Sequence, residues 1–190
     1  MNKDVIIETE RLILRPFQKE DYSDLFEYLH KPLMNCFAYM KLETLEDAKK
    51  QIEKRIKEKN LLFAIVLKES NKVIGEIDAS QESSHPDKYE DKSPQDTFSP
   101  CWMLNSNYHR KGYGYEAAHA FLDYLFKQKG ARRIYAFTEE NNIGSQKLCE
   151  KLGMRKEGLF KEYVSFVNNE DGTPIYENTY QYAILKKEWI

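Results

Sequence analysis

Hydrophobic and polar residues follow two periods along the chain, one typical of strands and one typical of helices. In segment 11–15, Leu12 and Leu14 alternate with Arg11, Ile13 and Arg15, and Pro16 ends the strand pattern. Apolar residues then recur at helical spacing over about 19–29. Along the whole chain, these periods predict strands over 11–15, 61–67, 73–79, 98–104, 134–138, 158–167 and 176–185, and helices over about 19–29, after Thr44, over about 115–130 and over about 143–152.

Turn-forming residues and connection lengths predict how these elements are joined. Residues 69–72 and 168–172 are turn-rich, and each predicts a hairpin between the strands beside it. A helix leads from strand 98–104 to strand 134–138, which predicts a right-handed crossover between parallel neighbours. A chain of 190 residues buries a core without disulfides or metals. We therefore expect a single α/β domain over residues 1–190.

Residues 81–97 form a long polar stretch without a strand or helix pattern. A connection of this length inside a compact domain is usually either functional or disordered. The sequence leaves both alternatives open.

Charge and composition exclude several functional classes. The 29 basic residues nearly balance the 31 acidic ones, so we expect no nucleic-acid partner. We find no apolar run long enough to span a membrane and no signal-peptide pattern, which predicts a cytoplasmic protein without a membrane partner. The three cysteines and four histidines lack metal-ligand spacing, which predicts reduced thiols and no metal site.

The most informative segment lies between a predicted strand and a predicted helix. Gly112 and Gly114 let the backbone approach a ligand closely, and the helix that follows offers N–H groups and its positive dipole end to an anion. Arg110 and Lys111 add two cations. A Gly-x-Gly pair alone is more often a plain turn, but this setting favours an anion site. The residues predicted to form it are His109, Arg110, Lys111, Gly112, Tyr113, Gly114 and Tyr115.

Further segments join this loop in resembling one family. They are the opening Glu8-Thr9-Glu10-Arg11-Leu12-Ile13-Leu14-Arg15-Pro16-Phe17, then Val73-Ile74-Gly75-Glu76-Ile77, and Asn142-Ile143-Gly144-Ser145 running into Glu150-Lys151-Leu152-Gly153-Met154. Over nearly its whole length the chain is similar to the GNAT N-acetyltransferases, and within them to the RimJ/RimL-type branch. His109 departs from the loop pattern, since many relatives carry Gln or Arg there. The departure changes little, because the loop works mainly through backbone N–H groups.

The resemblance implies a fold, a cosubstrate and a set of contacts. The fold is a GNAT acyl-CoA N-acyltransferase fold, a mixed and mostly antiparallel sheet with flanking helices and a central parallel strand pair that splays apart around acetyl-CoA. The thioester and pantetheine arm are expected to pair with the backbone of Met103, Leu104 and Asn105. In related enzymes the residue at Asn142 contacts the pantetheine arm, and a hydroxyl at or near Ser145 protonates the departing sulfur.

The residues of the fourth predicted helix also allow simpler roles. Asn142 is a good N-cap, and Ser145 is a common polar residue in a first helical turn. Ser145, Leu148, Cys149 and Leu152 share one helix face, so the Ser145 hydroxyl is expected to face inward. Cys149 suggests a covalent intermediate, but a cysteine on an apolar helix face is more often an inert core residue. Direct attack in a ternary complex is favoured.

The candidates for the general base are Glu76 and Asp78, which alternate on a predicted strand. Both lie on the pleat face opposite Gly75 and Ile77, which turns them either toward the acceptor or toward solvent. The need for a base depends on the acceptor. An α-amine, with a pKa of about 7.7–8.0, is partly neutral at pH 7, whereas a lysine amine at about 10.4 must first lose its proton at a cost of about 4 kcal/mol.

The predicted function is therefore acetyl transfer from acetyl-CoA to a primary amine, without a metal. Resemblance to the RimJ/RimL-type branch implies a protein N-terminal α-amine, such as that of a ribosomal protein, as the acceptor. Polyamines, antibiotics and other small amines are open alternatives, as is a non-catalytic acyl-CoA-binding sensor. A dinucleotide-binding oxidoreductase is disfavoured, because the glycine loop comes late and lacks the full G-x-G-x-x-G pattern. Monomer and homodimer both fit the sequence.

Overall fold

The computed structural model describes residues 5–58, 61–84 and 94–190. Its strands are β1 (Ile7–Glu8), β2 (Leu12–Arg15), β3 (Phe63–Leu67), β4 (Lys72–Glu82), β5 (Thr97–Leu104), β6 (Arg133–Glu139), β7 (Arg155–Asn168) and β8 (Pro174–Leu185). Its α-helices are α1 (Tyr22–Leu29), α2 (Leu45–Lys57), α3 (Tyr113–Lys127) and α4 (Ile143–Lys151). Short 3-10 segments are Lys19–Asp21, Asn35–Met40, Ser106–Tyr108 and Lys186–Glu188.

The strands form one eight-stranded sheet in the order β1-β2-β3-β4-β5-β6-β8-β7. Among the described strands only β5 and β6 pair in parallel, as the crossover pattern predicts. Their register contains two pairs, Thr97 with Arg133 and Phe98 with Ile134. Beyond Phe98 the two strands separate, while β5 stays paired with β4 as far as Leu104. The sheet therefore opens along the second half of β5, which confirms the mostly antiparallel GNAT fold with its splayed parallel pair.

Two hydrophobic layers hold the helices on opposite faces of this sheet. One contains Phe121 and Leu122 of α3 and is continuous with Cys149 of α4. The other contains Leu29 of α1 and Ile52 of α2. Burying a side chain of this size contributes about 1.5–3 kcal/mol, so these apolar stripes fix the helices against the strands. The start of α3 and the start of α4 consequently flank the opening between β5 and β6.

The predicted elements agree with the structure apart from their ends. The N-cap at Thr44 is confirmed, because its hydroxyl accepts a hydrogen bond from the N–H of Asp47 at 3.1 Å. The short strand β1 and the 3-10 segment Asn35–Met40 were not predicted, since two to six residues are too few to establish a period. The stretch 81–97 begins within β4 and ends at the first residue of β5. Its central residues 85–93, where either a loop beside the acceptor or disorder was expected, lie outside the described residues.

No described helix combines the length and the apolar character that crossing a membrane requires. Over the same residues, His, Cys, Asp and Glu side chains form no group of three suited to a metal ion.

Candidate functional site

The opening between β5 and β6 forms a cleft of about 990 Å³. Its walls come from β5, the loop before α3, the first turns of α4 and the 3-10 segment Asn35–Met40. The predicted site residues that line it are Asp78, Met103, Leu104, His109, Arg110, Gly112, Gly114, Tyr115, Asn142 and Ser145. Those that do not line it are Glu76, Asn105, Lys111 and Tyr113. Most residues named from the sequence thus share one concave surface, although they come from four elements.

The glycine loop has the geometry of an anion site. Arg110 and Gly112 both have left-handed backbones, with φ of 60° and 86°, so the chain turns sharply just before α3. The first intrahelical bond runs from the N–H of Glu116 to the carbonyl of Gly112. The N–H groups of residues 112–115 therefore have no intrahelical acceptor and are available to a ligand at the positive end of the helix.

The start of the chain holds this loop in place. The Glu116 carboxylate accepts hydrogen bonds from the Thr9 hydroxyl at 2.6 Å and from the backbone N–H of Arg11 at 2.8 Å. The Arg11 guanidinium pairs with the same carboxylate at 2.7 Å, donates to the carbonyl of Lys111 at 3.1 Å and stacks over the Tyr113 ring. These supporting contacts were not predicted, because they join residues 100 or more positions apart.

The end of β5 directs alternate backbone groups into the cleft. The N–H of Asn105 donates to the carbonyl of Ile74 at 2.8 Å, so Asn105 pairs with the chain of β4. Successive residues of a strand point their backbone groups to opposite sides, which turns Met103 toward β4 and Leu104 toward the opening. The His109 ring N–H donates to the Leu104 carbonyl at 2.9 Å. Of the three residues proposed for the thioester arm, Leu104 has the backbone that faces the cleft.

Gly75 allows β4 to approach this strand end closely. A Cβ at position 75 would lie 2.2 Å from the carbonyl oxygen of Met103 and 2.9 Å from the Cα of Leu104. Real Cβ atoms do not approach backbone atoms this closely. A glycine at this position is therefore required by the path of β5 beside the cleft.

The first turn of α4 presents Asn142 and Ser145 at the opposite wall. The Asn142 side-chain oxygen accepts a hydrogen bond from the N–H of Ser145 at 3.1 Å, so Asn142 caps the helix. The Trp102 indole N–H donates to the Ser145 Oγ at 3.2 Å. Because the oxygen accepts this bond, the hydroxyl proton of Ser145 remains available for donation to a ligand.

The surroundings of the three cysteines favour the protonated thiol over the nucleophilic thiolate. Cys149 is fully buried, and burial raises its pKa to about 12. Burial, followed by the nearby carboxylate of Glu139, raises the pKa of Cys36 to about 12 as well. The pKa of Cys101 is also raised, first by desolvation and then by Asp78. Since the thiolate is the reactive form, these shifts argue against a covalent intermediate.

The two acidic candidates on β4 occupy different environments. Glu76 is buried and fully engaged: Arg55 donates to its two oxygens at 3.1 and 3.0 Å, and the Tyr28 hydroxyl donates at 2.9 Å. Asp78 lines the cleft and is only partly buried. Desolvation, and next the charge of Glu76, raise the pKa of Asp78 to about 7. Asp78 therefore exchanges protons near neutral pH, as a general base must.

The far side of the cleft contains groups outside the predicted set of site residues. Tyr28, Cys36 and Tyr39 line it from the α1 side, and Glu139 lines it from the end of β6. The sequence could have indicated Glu139 as a cleft residue, because it lies at the carboxyl end of a strand that was predicted to splay from its neighbour. Tyr28 lies near the end of the predicted helix 19–29, whereas Cys36 and Tyr39 come from a segment without a periodic pattern.

The chain is similar in sequence and in fold to known proteins. An uncharacterized N-acetyltransferase of Bacillus subtilis (strain 168), YnaD, is 32% identical over 183 residues, which cover 96% of this chain and 98% of that protein. The crystal structure of an acetyltransferase (GNAT family) from Bacillus anthracis has a TM-score of 0.78 and 30% identity, covering 97% of this chain and 100% of that chain. Ribosomal-protein-S5-alanine acetyltransferase from Vibrio fischeri has the same fold at a TM-score of 0.70 and 23% identity, covering 98% of this chain and 100% of that chain.

The family comparison covers the whole candidate site. The family model described as acetyltransferase (GNAT) domain matches residues 11–155. This segment includes β4, β5, the glycine loop and α4, and so contains every residue predicted for the site. The chain belongs to the GNAT acetyltransferase family and is an N-acetyltransferase.

Proposed function

We propose that the protein transfers the acetyl group of acetyl-CoA to the α-amine of a protein N-terminus, by direct attack within a ternary complex. The observation that carries this proposal is a single cleft lined by Gly112 of the anion loop, by Ser145 and by Asp78. One continuous surface thus offers a site for a diphosphate, a proton donor and a proton acceptor.

The donor end of the cleft suits coenzyme A. The N–H groups of residues 112–115, together with the charges of Arg110 and Lys111, bind the diphosphate. The backbone of Leu104 pairs with the pantetheine arm, and the side-chain amide of Asn142 faces the arm from the other wall. Met103 and Asn105 support the strand end through β4.

The reaction forms a bond between the amine nitrogen and the acetyl carbon and breaks the bond between that carbon and sulfur. Asp78 accepts the proton that the amine loses and passes it to solvent. Ser145 donates its hydroxyl proton to the departing thiolate and recovers a proton from solvent. The cleft holds both reactants together, which removes the need for a covalent intermediate.

The proton affinity of Asp78 favours an α-amine over a lysine amine. With a pKa of about 7, Asp78 takes a proton from an α-ammonium, whose pKa is about 7.7–8.0, at a cost of only about 1 kcal/mol. The same transfer from a lysine ammonium at about 10.4 costs about 5 kcal/mol. A neighbour in fold, the Vibrio fischeri enzyme, is named for an alanine of ribosomal protein S5.

A panel of acceptors tests this proposal. The protein is incubated with acetyl-CoA and N-terminal peptides, N-terminally blocked lysine peptides, polyamines or aminoglycosides, and free thiol and acetylated mass are followed. We expect acceptor-dependent thiol release that is fastest with N-terminal peptides. Faster acetylation of another class of amine would change the proposed acceptor to that class. Acetyl-CoA binding without turnover on any amine would favour a non-catalytic sensor. The Gly112→Asp variant, with added charge at the loop, is expected to lose acetyl-CoA binding and serves as the inactive control.

A further inference from the structure

Two buried carboxylates lie on the neighbouring strands β6 and β8, and one of them, Glu139, lines the far side of the cleft. Glu139 of β6 is 7% exposed and Glu177 of β8 is 8% exposed. Glu139 pairs in register with Thr179, and Glu177 precedes Thr179 by two positions on the same strand. Because side chains two residues apart on a strand share a face, all three side chains project from one face of the sheet.

The hydrogen-bonding capacity of this cluster is incompletely satisfied. Glu177 accepts a hydrogen bond from the side chain of Asn35 at 2.8 Å through Oε1, but its Oε2 has no partner among the described residues. Within the same residues, the buried hydroxyl of Thr179 also lacks a partner. Among the described residues, the Glu139 carboxylate accepts a hydrogen bond from the Cys36 thiol and a long one of 3.5 Å from the side-chain N–H of Asn142. None of these groups neutralises a negative charge.

Glu139 and Glu177 differ from Glu76, another buried glutamate of the sheet, in the charged partners of their carboxylates. Glu76 pairs with Arg55 and accepts a further bond from Tyr28. In the part of the chain that the structure describes, no lysine, arginine or histidine forms an ion pair with Glu139 or Glu177. Buried carboxylates are normally paired, since an isolated one costs several kcal/mol of solvation. Among the described residues, Glu139 and Glu177 are thus two buried carboxylates without a basic partner.

The cleft gives a ligand access to this site. Glu139 lines it, together with the aromatic side chains of Phe137 and Phe166. Asp78 lines the same cleft from the other side of β5. Neighbouring strands lie about 4.8 Å apart, and β5 separates from β6 here, so the carboxylates of Asp78 and Glu139 are separated by about 10 Å or more.

We propose that Glu139, backed by Glu177, binds a second positively charged group of the acceptor while Asp78 receives the proton of the reacting amine. The inference rests on the proposed function and narrows its acceptor to a dication. An ammonium group carries three N–H donors and a guanidinium five, which suits the carboxylate of Glu139, since it lines the cleft without an ion-pair partner among the described residues. The rings of Phe137 and Phe166 line the same cleft and tolerate a cation. A basic side chain at the second or third residue of a peptide places a positive charge at about this distance from the reacting N-terminal amine. The far amine of a diamine does the same.

Matched acceptors test the subsite and distinguish its two sources. One arm compares N-terminal peptides that carry Lys or Gln at the second or third position, and the other compares diaminoalkanes with monoaminoalkanes of equal length. We expect the dicationic member of at least one arm to have a KM about tenfold lower, with a smaller difference at high salt. Equal KM values within both arms would overturn the proposal.

Two variants locate the effect. Glu139→Gln is expected to raise the KM of the dicationic acceptor about tenfold, to leave that of the matched monocation unchanged and to preserve kcat. Glu177→Gln is expected to act in the same direction, and Glu170→Gln, at the exposed turn before β8, is the control that changes neither. A uniform fall in kcat on both acceptors with Glu139→Gln would place that residue at the reaction and refute the subsite. Should Glu177→Gln fail to fold, Glu139→Gln alone decides.

The subsite and the proposed function fail in different ways. If the wild-type protein acetylates no amine, the proposed function falls. The subsite is then judged by calorimetry with a diaminoalkane and the monoaminoalkane of equal length. Tighter binding of the diamine that Glu139→Gln removes would support it, and equal binding of the two would refute it.

Discussion

The carboxylate of Glu116 accepts hydrogen bonds from both the backbone N–H and the guanidinium of Arg11, at 2.8 and 2.7 Å. The contact joins the start of β2 to the first turn of α3, across more than 100 residues of chain. It also neutralises a carboxylate that lies at the helix end where we propose a diphosphate binds. The Glu8-Thr9-Glu10-Arg11 segment thus lies outside the glycine loop but stabilises it through hydrogen bonds.

Replacing Arg11 with methionine is expected to weaken acetyl-CoA binding about tenfold. The change leaves the Glu116 charge unpaired beside the loop and removes the bond to the Lys111 carbonyl. Calorimetric Kd values measure the effect. Arg155→Met is a matched control, since the Arg155 side chain is 44% exposed against 42% for Arg11 and pairs with Glu157 and Glu188 instead. An unchanged Kd for Arg11→Met would show that the loop holds its shape unaided.

Local patterns were sufficient to predict most of the fold and the loop. The period of Leu12 and Leu14, the N-cap at Thr44 and the crossover between β5 and β6 all depend on neighbouring residues. Glycines mark backbone that other residues avoid, and Gly112 has the left-handed conformation that such a mark implies. A site that is formed by backbone groups can therefore be predicted from short segments of the sequence.

The polar contacts across the site could not be predicted in this way. The partner of Glu76 is Arg55 on α2, and the neighbour of Glu139 is Glu177 on β8. Alternation on β4 makes Glu76 and Asp78 equivalent, yet one is engaged in an ion pair and the other faces the cleft. Which of two such residues is free for catalysis depends on elements that the fold brings from elsewhere.

The raised pKa of Asp78 predicts the pH dependence of acetylation. Only the deprotonated carboxylate accepts a proton, so kcat/KM should rise as the pH increases through about 7 and level off above it. An acceptor amine of low pKa, neutral throughout this range, isolates the contribution of the enzyme. Asp78→Asn is expected to lower kcat/KM about a hundredfold or more and to remove this inflection. Retention of the inflection in that variant would assign it to another group.

Glu76→Gln is expected to affect stability far more than Asp78→Asn does. It breaks the buried ion pair with Arg55, whose side chain is only 9% exposed, and should lower the free energy of unfolding by about 3 kcal/mol. Urea denaturation measures this loss. Glu8→Gln, which removes the exposed partner of Lys68, should cost less than about 1 kcal/mol. If Glu76→Gln instead abolished turnover at unchanged stability, Glu76 would be the base.

Ser145→Ala is expected to lower kcat about a hundredfold while leaving the KM for acetyl-CoA nearly unchanged. The hydroxyl is oriented by the Trp102 indole, and its removal affects the departing thiolate rather than the bound donor. Trp102→Phe, which keeps the hydroxyl but removes the indole N–H, should cause a smaller loss. Steady-state kinetics with the best acceptor separates kcat from KM. Equal turnover by Ser145→Ala and the wild type would exclude the acid role.

Gly75→Ala tests whether the close approach of β4 to β5 shapes the cleft. The added methyl group would lie 2.2 Å from the Met103 carbonyl oxygen, so β5 must shift at the strand end that we assign to the pantetheine arm. Overpacking of this kind costs about 3 kcal/mol, measured by urea denaturation, and should raise the KM for acetyl-CoA.

Gly144→Ala is the matched control for this change, because its nearest neighbour, the Asn142 side-chain oxygen, lies 3.8 Å away and the position is helical. Alanine there should be neutral or stabilise α4 by up to about 1 kcal/mol. The two alanines therefore have opposite expected signs on stability. If Gly75→Ala were as stable as Gly144→Ala, the close approach of β4 to β5 would not be what requires a glycine at position 75.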